Sequence, residues 1–106
     1  MSHIVEDHRT PDGSLRFIVT RDDDGDVALG FDGFPSHTHG DILASLANVP
    51  IEAAIRDYVD ALLDDRLFIG ISRIEGKIRD VWVTDNRNPD KFQAEGEALQ
   101  LRTWNG

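Results

Sequence analysis

At 106 residues, with 40% hydrophobic and 29% charged side chains, the chain fits one small globular domain and excludes wholesale disorder. Twenty acidic residues against eleven basic ones leave a net charge of −9, which argues against nucleic acid and anionic membranes, since both recruit basic surfaces. The absence of cysteine excludes disulfides, thiolate chemistry and cysteine-ligated metals.

Along the chain, Thr10-Pro11-Asp12-Gly13 places Pro and Gly where a turn wants fixed and positive φ, and predicts a hairpin between 3–9 and 14–21. In the second arm Leu15, Phe17 and Val19 alternate with Arg16, Ile18 and Thr20, the period of a half-buried strand. The first arm carries only Ile4 and Val5 and reads as a short edge strand. A second turn falls at Asp22-Asp23-Asp24-Gly25-Asp26. It is no calcium loop: Val27 stands where the sixth-position Gly belongs, and Gly33 where the twelfth-position Glu belongs. Residues 27–31 form a third strand with Val27, Leu29 and Phe31 on one face.

Residues 32–40 read as loop and 41–47 as a short helical turn. The main helix spans about 50–65, with Ile51, Ala54, Ile55, Tyr58, Val59, Leu62 and Leu63 in a single stripe and Pro50 suited to its first turn. Strands at 67–74 and 78–84 flank the tight turn Glu75-Gly76-Lys77. A polar loop at 85–96 contains Asn88-Pro89-Asp90, and 97–104 alternates once more. The order βββ–α–βββ predicts an α+β domain: a single, mainly antiparallel sheet with one main amphipathic helix on one face.

His37-Thr38-His39-Gly40-Asp41 is the segment most suggestive of chemistry. In extended chain His37 and His39 point the same way and can pinch one zinc or similar divalent ion, with Asp41 adding an oxygen. The string resembles the His-x-His-x-Asp ligand runs of several metallohydrolase families, the metallo-β-lactamase type among them. Ile42 stands where those families place a further His, the match spans five residues, and their activity is not carried across. The alternative is local: Thr38 and Asp41 form a variant capping box opening the helical turn.

Two features point to a protein partner. Asp57, Asp60, Asp64 and Asp65 load the main helix with negative charge, and the last two oppose the helix dipole, partly offset by Arg66. The cluster reads either as a solubilising face or as an acidic end suited to a basic partner. If Leu67, Ile69, Ile71, Val81 and Val83 face the helix, then Phe68, Gly70, Ser72, Ile74, Asp80, Trp82 and Thr84 face away, joined by Ile18. Phe68, Ile74 and Trp82 make that second face too apolar for a solvated one. A partner, a second copy of the chain, or the loop 85–96 with Trp104 would cover it.

No nucleophile elbow, phosphate loop or dinucleotide fingerprint is visible, so no catalytic residue or cofactor is assigned. The opening Met1-Ser2-His3-Ile4-Val5-Glu6 has no signal-peptide core and no run is long enough to span a membrane, so a cytoplasmic location is expected. Being short, acidic, cysteine-free and strand-rich with one helix, the chain resembles in general style bacterial toxin-neutralising immunity proteins. The expected function is a non-catalytic protein-interaction module, binding a basic partner or a homodimer mate through Phe68, Ile74, Trp82, Asp60, Asp64 and Asp65. The alternative is a small metal-binding protein or metal-dependent hydrolase centred on His37, His39 and Asp41.

Overall fold

Four strands, two helices and three strands follow one another in a computed structural model that describes residues 2–85 and 96–106. They are β1 (His3–Arg9), β2 (Arg16–Arg21), β3 (Val27–Phe31), β4 (His37–His39), α1 (Gly40–Ala47), α2 (Ile51–Leu63), β5 (Phe68–Ile74), β6 (Lys77–Thr84) and β7 (Glu97–Arg102). The α+β class holds, but the single sheet is in fact two. One has the order β1-β2-β3-β4 and the other β6-β5-β7, and every pairing is antiparallel. The reason is pairing range. Hairpins between chain neighbours account for every pair except β5 with β7, and the two helices stand between the two strand groups.

β4 lies inside the stretch expected to be loop. His37–His39 has no apolar alternation to betray it, and it is a strand because its backbone completes the edge of β3, pairing Ala28 with His39, Leu29 with Thr38 and Gly30 with His37. The expected helical turn is a full eight-residue helix, α1, so the single-helix description is corrected to two. Asn48 in the left-handed region (φ 54) ends it, a conformation Asn tolerates better than most residues. The capping-box reading also fails. The N-cap is His39, with no side-chain cap bond, because Thr38 is already committed to the β3–β4 ladder.

Both first turns form as their residues dictate. Gly13 (φ 74) donates to Thr10 O at 2.8 Å, and the Asp22–Asp26 tip closes through Asp22 N–H to Asp26 O at 2.8 Å with Gly25 at φ 89. Pro50 sits at the N-cap of α2, where its missing N–H costs nothing.

The core fills the space between the sheets and α2. Leu15, Phe17 and Val19 from the second arm join Val27, Leu29 and Phe31 of β3, Ile55, Val59 and Leu62 of α2, and Ile69, Ile71 and Val81 of the three-stranded sheet. The alternation in β2, β3, β5 and β6 therefore buries the sides the sequence indicates. Each fully buried Leu, Ile or Phe contributes about 1.5–3 kcal/mol relative to exposure. Phe17 sets its edge against Phe31 at 5.2 Å between centroids and also touches Tyr58, whose hydroxyl pKa burial pushes up to about 12. Two expectations of the core differ. Ile51, the first member of the α2 stripe, is 46% exposed, and Trp104, a candidate cover for the far sheet face, is instead part of the core. No helix of the described residues is long and apolar enough to cross a membrane.

Candidate functional site

The three-stranded sheet presents its second face opposite the core. The register pairs Phe68 with Thr84, Gly70 with Trp82 and Leu101, and Ser72 with Asp80 and Leu99, so all these side chains share one face. Ile18 does not join them, because β2 belongs to the other sheet. Phe68 and Trp82 are half-buried and Ile74 is exposed. The indole of Trp82 occupies the space that a Cβ on Gly70 would need. Gly70 is thus required by close approach of a side chain rather than by its backbone conformation.

Part of that face is polar and satisfied. Glu97 is buried, accepts a hydrogen bond from Ser72 Oγ and pairs with Arg79 Nη2 at 2.9 Å. At the neighbouring edge Asp80 accepts Ser36 Oγ at 2.5 Å and Ser36 N–H at 3.3 Å, which pins the β3–β4 connection to β6. Neither carboxylate stood out in the sequence as a partner of these serines, since the pairs lie 25 and 44 positions apart. Residues 86–95, most of the loop expected as a cover, lie outside the described residues.

The acidic end of α2 divides into two roles. Asp65, with φ 63, accepts the Asn105 backbone N–H at 3.0 Å and the Asn105 side-chain amide at 3.1 Å. The backbone bond from Asn105 and then its side chain hold the Asp65 carboxyl below its ordinary pKa. Asp65 therefore clasps the C-terminal segment to the helix end. Asp64 meets Arg66 at 3.5 Å on the surface, Asp57 is exposed and Asp60 half-buried. The strand β5, beginning at Phe68, follows directly from this acidic end.

Comparison with known proteins finds no matching family model, no matching curated protein and no matching solved structure. The residues themselves carry the functional argument.

In the histidine segment, the rings of His37 and His39 stand 5.0 Å apart between centroids at 71°. His39 Nδ1 lies 2.9 Å from Asp26 Oδ2, and His37 Nδ1 lies 2.9 Å from Pro35 O. The Asp41 carboxylate accepts the Ile42 N–H at 2.9 Å. Among the described residues no three His, Asp or Glu side chains gather into a group able to hold an ion. The structure therefore brings His37 and His39 together and adds Asp26, which the sequence did not single out. Pairing of Ala28 with His39 puts Asp26, two residues before Ala28, on the same side as His39. That relation is visible only once β4 is known to exist.

Proposed function

We propose that the chain is a non-catalytic protein-interaction module, acting in the cytoplasm, that binds a basic protein partner. The second face of the three-stranded sheet forms the docking surface, with Phe68, Trp82 and Ile74 at its apolar part. Asp60 and Asp64, at the end of the helix that precedes β5 in the chain, add negative charge to the molecule, while Asp65 supports that helix end through Asn105. The observation that carries this reading is the half-buried indole of Trp82, placed over a glycine on the side of the sheet away from the core. Trp so placed is the residue type most enriched at binding hot spots. The net charge of −9 favours a basic partner over a second copy, because two such chains repel while a basic surface is steered towards this one.

The test is a partner recovered from native lysate, re-measured with purified components across a salt series. Affinity should fall as salt rises, and Trp82→Ala should weaken association by about 2 kcal/mol or more. Salt-independent affinity removes the electrostatic part of the reading. A Trp82→Ala variant that binds as the wild type does and only melts earlier makes Trp82 a packing residue and removes the docking surface.

A further inference from the structure

The four histidines of the chain fall into two pairs by the ring nitrogen they commit. His3 and His8 face carboxylates through Nε2: His3 stands 3.6 Å from Asp23, and His8 stands 3.0 Å from Glu6. His37 and His39 do the opposite. Their Nδ1 atoms lie against Pro35 O and Asp26 Oδ2. A backbone carbonyl can only accept a hydrogen bond, and so can an ionised carboxylate. Both Nδ1 atoms must therefore carry the proton, which leaves the lone pair of each neutral ring on Nε2. Among the described residues, neither Nε2 has a hydrogen-bond partner. A ligating histidine is ordinarily prepared in this way, with its far nitrogen donating to a carbonyl or carboxylate that fixes tautomer and ring plane.

The spacing fits as well. A zinc–nitrogen bond of about 2.1 Å places the metal about 3.2 Å from each ring centroid, so two rings at a tetrahedral angle have centroids about 5.2 Å apart. The His37 and His39 centroids are 5.0 Å apart. His37 is exposed and His39 half-buried, at opposite ends of the three-residue strand β4, so an ion can reach both from solvent.

We propose that His37 and His39 form a two-histidine site for a borderline divalent cation of the zinc type, with Asp26 as the positioning residue for His39 and water completing the coordination. Nitrogen donors select such ions over magnesium or calcium. With two protein ligands the site is exchangeable rather than structural, since closed structural sites use four. Asp41 does not gather with the two rings, and one of its carboxylate oxygens accepts the Ile42 N–H in the first turn of α1. This proposal is independent of the docking surface, and its test needs no partner.

The experiment is a zinc chloride titration of the full chain, read by ring-nitrogen NMR of all four histidines. Saturable one-to-one binding should move the Nε2 resonances of His37 and His39 and leave those of His3 and His8 in place. His37→Ala and His39→Ala should each weaken binding at least tenfold. Asp26→Asn should weaken it about 10–100-fold, as loss of an orienting carboxylate does. Amide spectra report whether each variant is folded, and His37, being exposed, can be replaced without opening the core. Absence of saturable binding up to millimolar zinc, shifts confined to His3 or His8, or a folded His37→Ala that binds as the wild type does would each overturn the site. A folded Asp26→Asn with unchanged affinity would overturn the positioning role.

Discussion

The indole of Trp82 fills the space above Gly70, its cross-strand partner, so closely that a Cβ at position 70 would meet Cε2, Cζ2 and Nε1, the last at 2.6 Å. The absence of a side chain at position 70 leaves the indole the room it occupies.

Gly70→Ala should therefore displace the indole. Forcing extra volume into such a contact costs about 1–3 kcal/mol, to be read as a lower denaturation midpoint in urea. If Trp82 forms the docking surface, the same variant should also weaken partner binding, because the ring is displaced from its place over position 70. Unchanged stability would show that the indole moves aside freely.

Asp12 gathers the first turn and the last strand at one carboxylate. It accepts Thr10 Oγ1 at 2.6 Å, the Ser14 N–H at 3.0 Å, Ser14 Oγ at 2.8 Å and Arg102 Nη1 at 2.8 Å. The Thr10 hydroxyl first, then Ser14 and Arg102, hold the Asp12 pKa well below its ordinary 3.8. Asp7 is lowered in the same sense, chiefly by its hydrogen bond from Arg16. A depressed folded-state pKa contributes stability that is present above the unfolded value and lost as pH falls through the folded one. Stability should accordingly hold at neutral pH and decline as pH drops below about 4. Asp12→Asn should lower the neutral plateau and make the acid decline shallower. The check is a set of urea midpoints from pH 7 to pH 2; an acid limb unchanged by Asp12→Asn would contradict the assignment.

Glu97 is the buried carboxylate of the second sheet face, and Ser72, 0% exposed, donates to it. Glu97→Ala removes that acceptor and leaves a buried hydroxyl unpaired, at a cost of about 1–3 kcal/mol. The double variant with Ser72→Ala should recover part of the loss, because no donor is then stranded. Equal losses in the single and double variants, measured by chemical denaturation, would mean that Ser72 is satisfied elsewhere.

Much of the local structure was legible because it depends on neighbours a few residues apart. The strand at 27–31 emerges with the expected limits, and the helix expected at 50–65 runs from Ile51 to Leu63 with Ala54, Ile55, Val59 and Leu62 buried. The turns at Gly13 and Gly25 follow from residue type. In the functional region, periodicity placed Phe68, Gly70 and Trp82 on one face, which the β5–β6 register reproduces. The pair His37 and His39 was likewise visible from spacing alone.

What the sequence determined by itself is this periodic part: a period of two fixes which side chains of a strand share a face, and a period of 3.6 fixes the stripe of a helix. Tertiary structure alone decided how the edges meet. β4 exists only because β3 offers it a ladder, Asp26 reaches His39 only through that pairing, and Asp65 finds Asn105 forty positions away. Trp104 entered the core rather than the far face, and the strands divided into two sheets. Such contacts join segments distant in sequence, where no local preference distinguishes one available edge or pocket from another, and only the best simultaneous burial and hydrogen bonding of the whole chain selects among them.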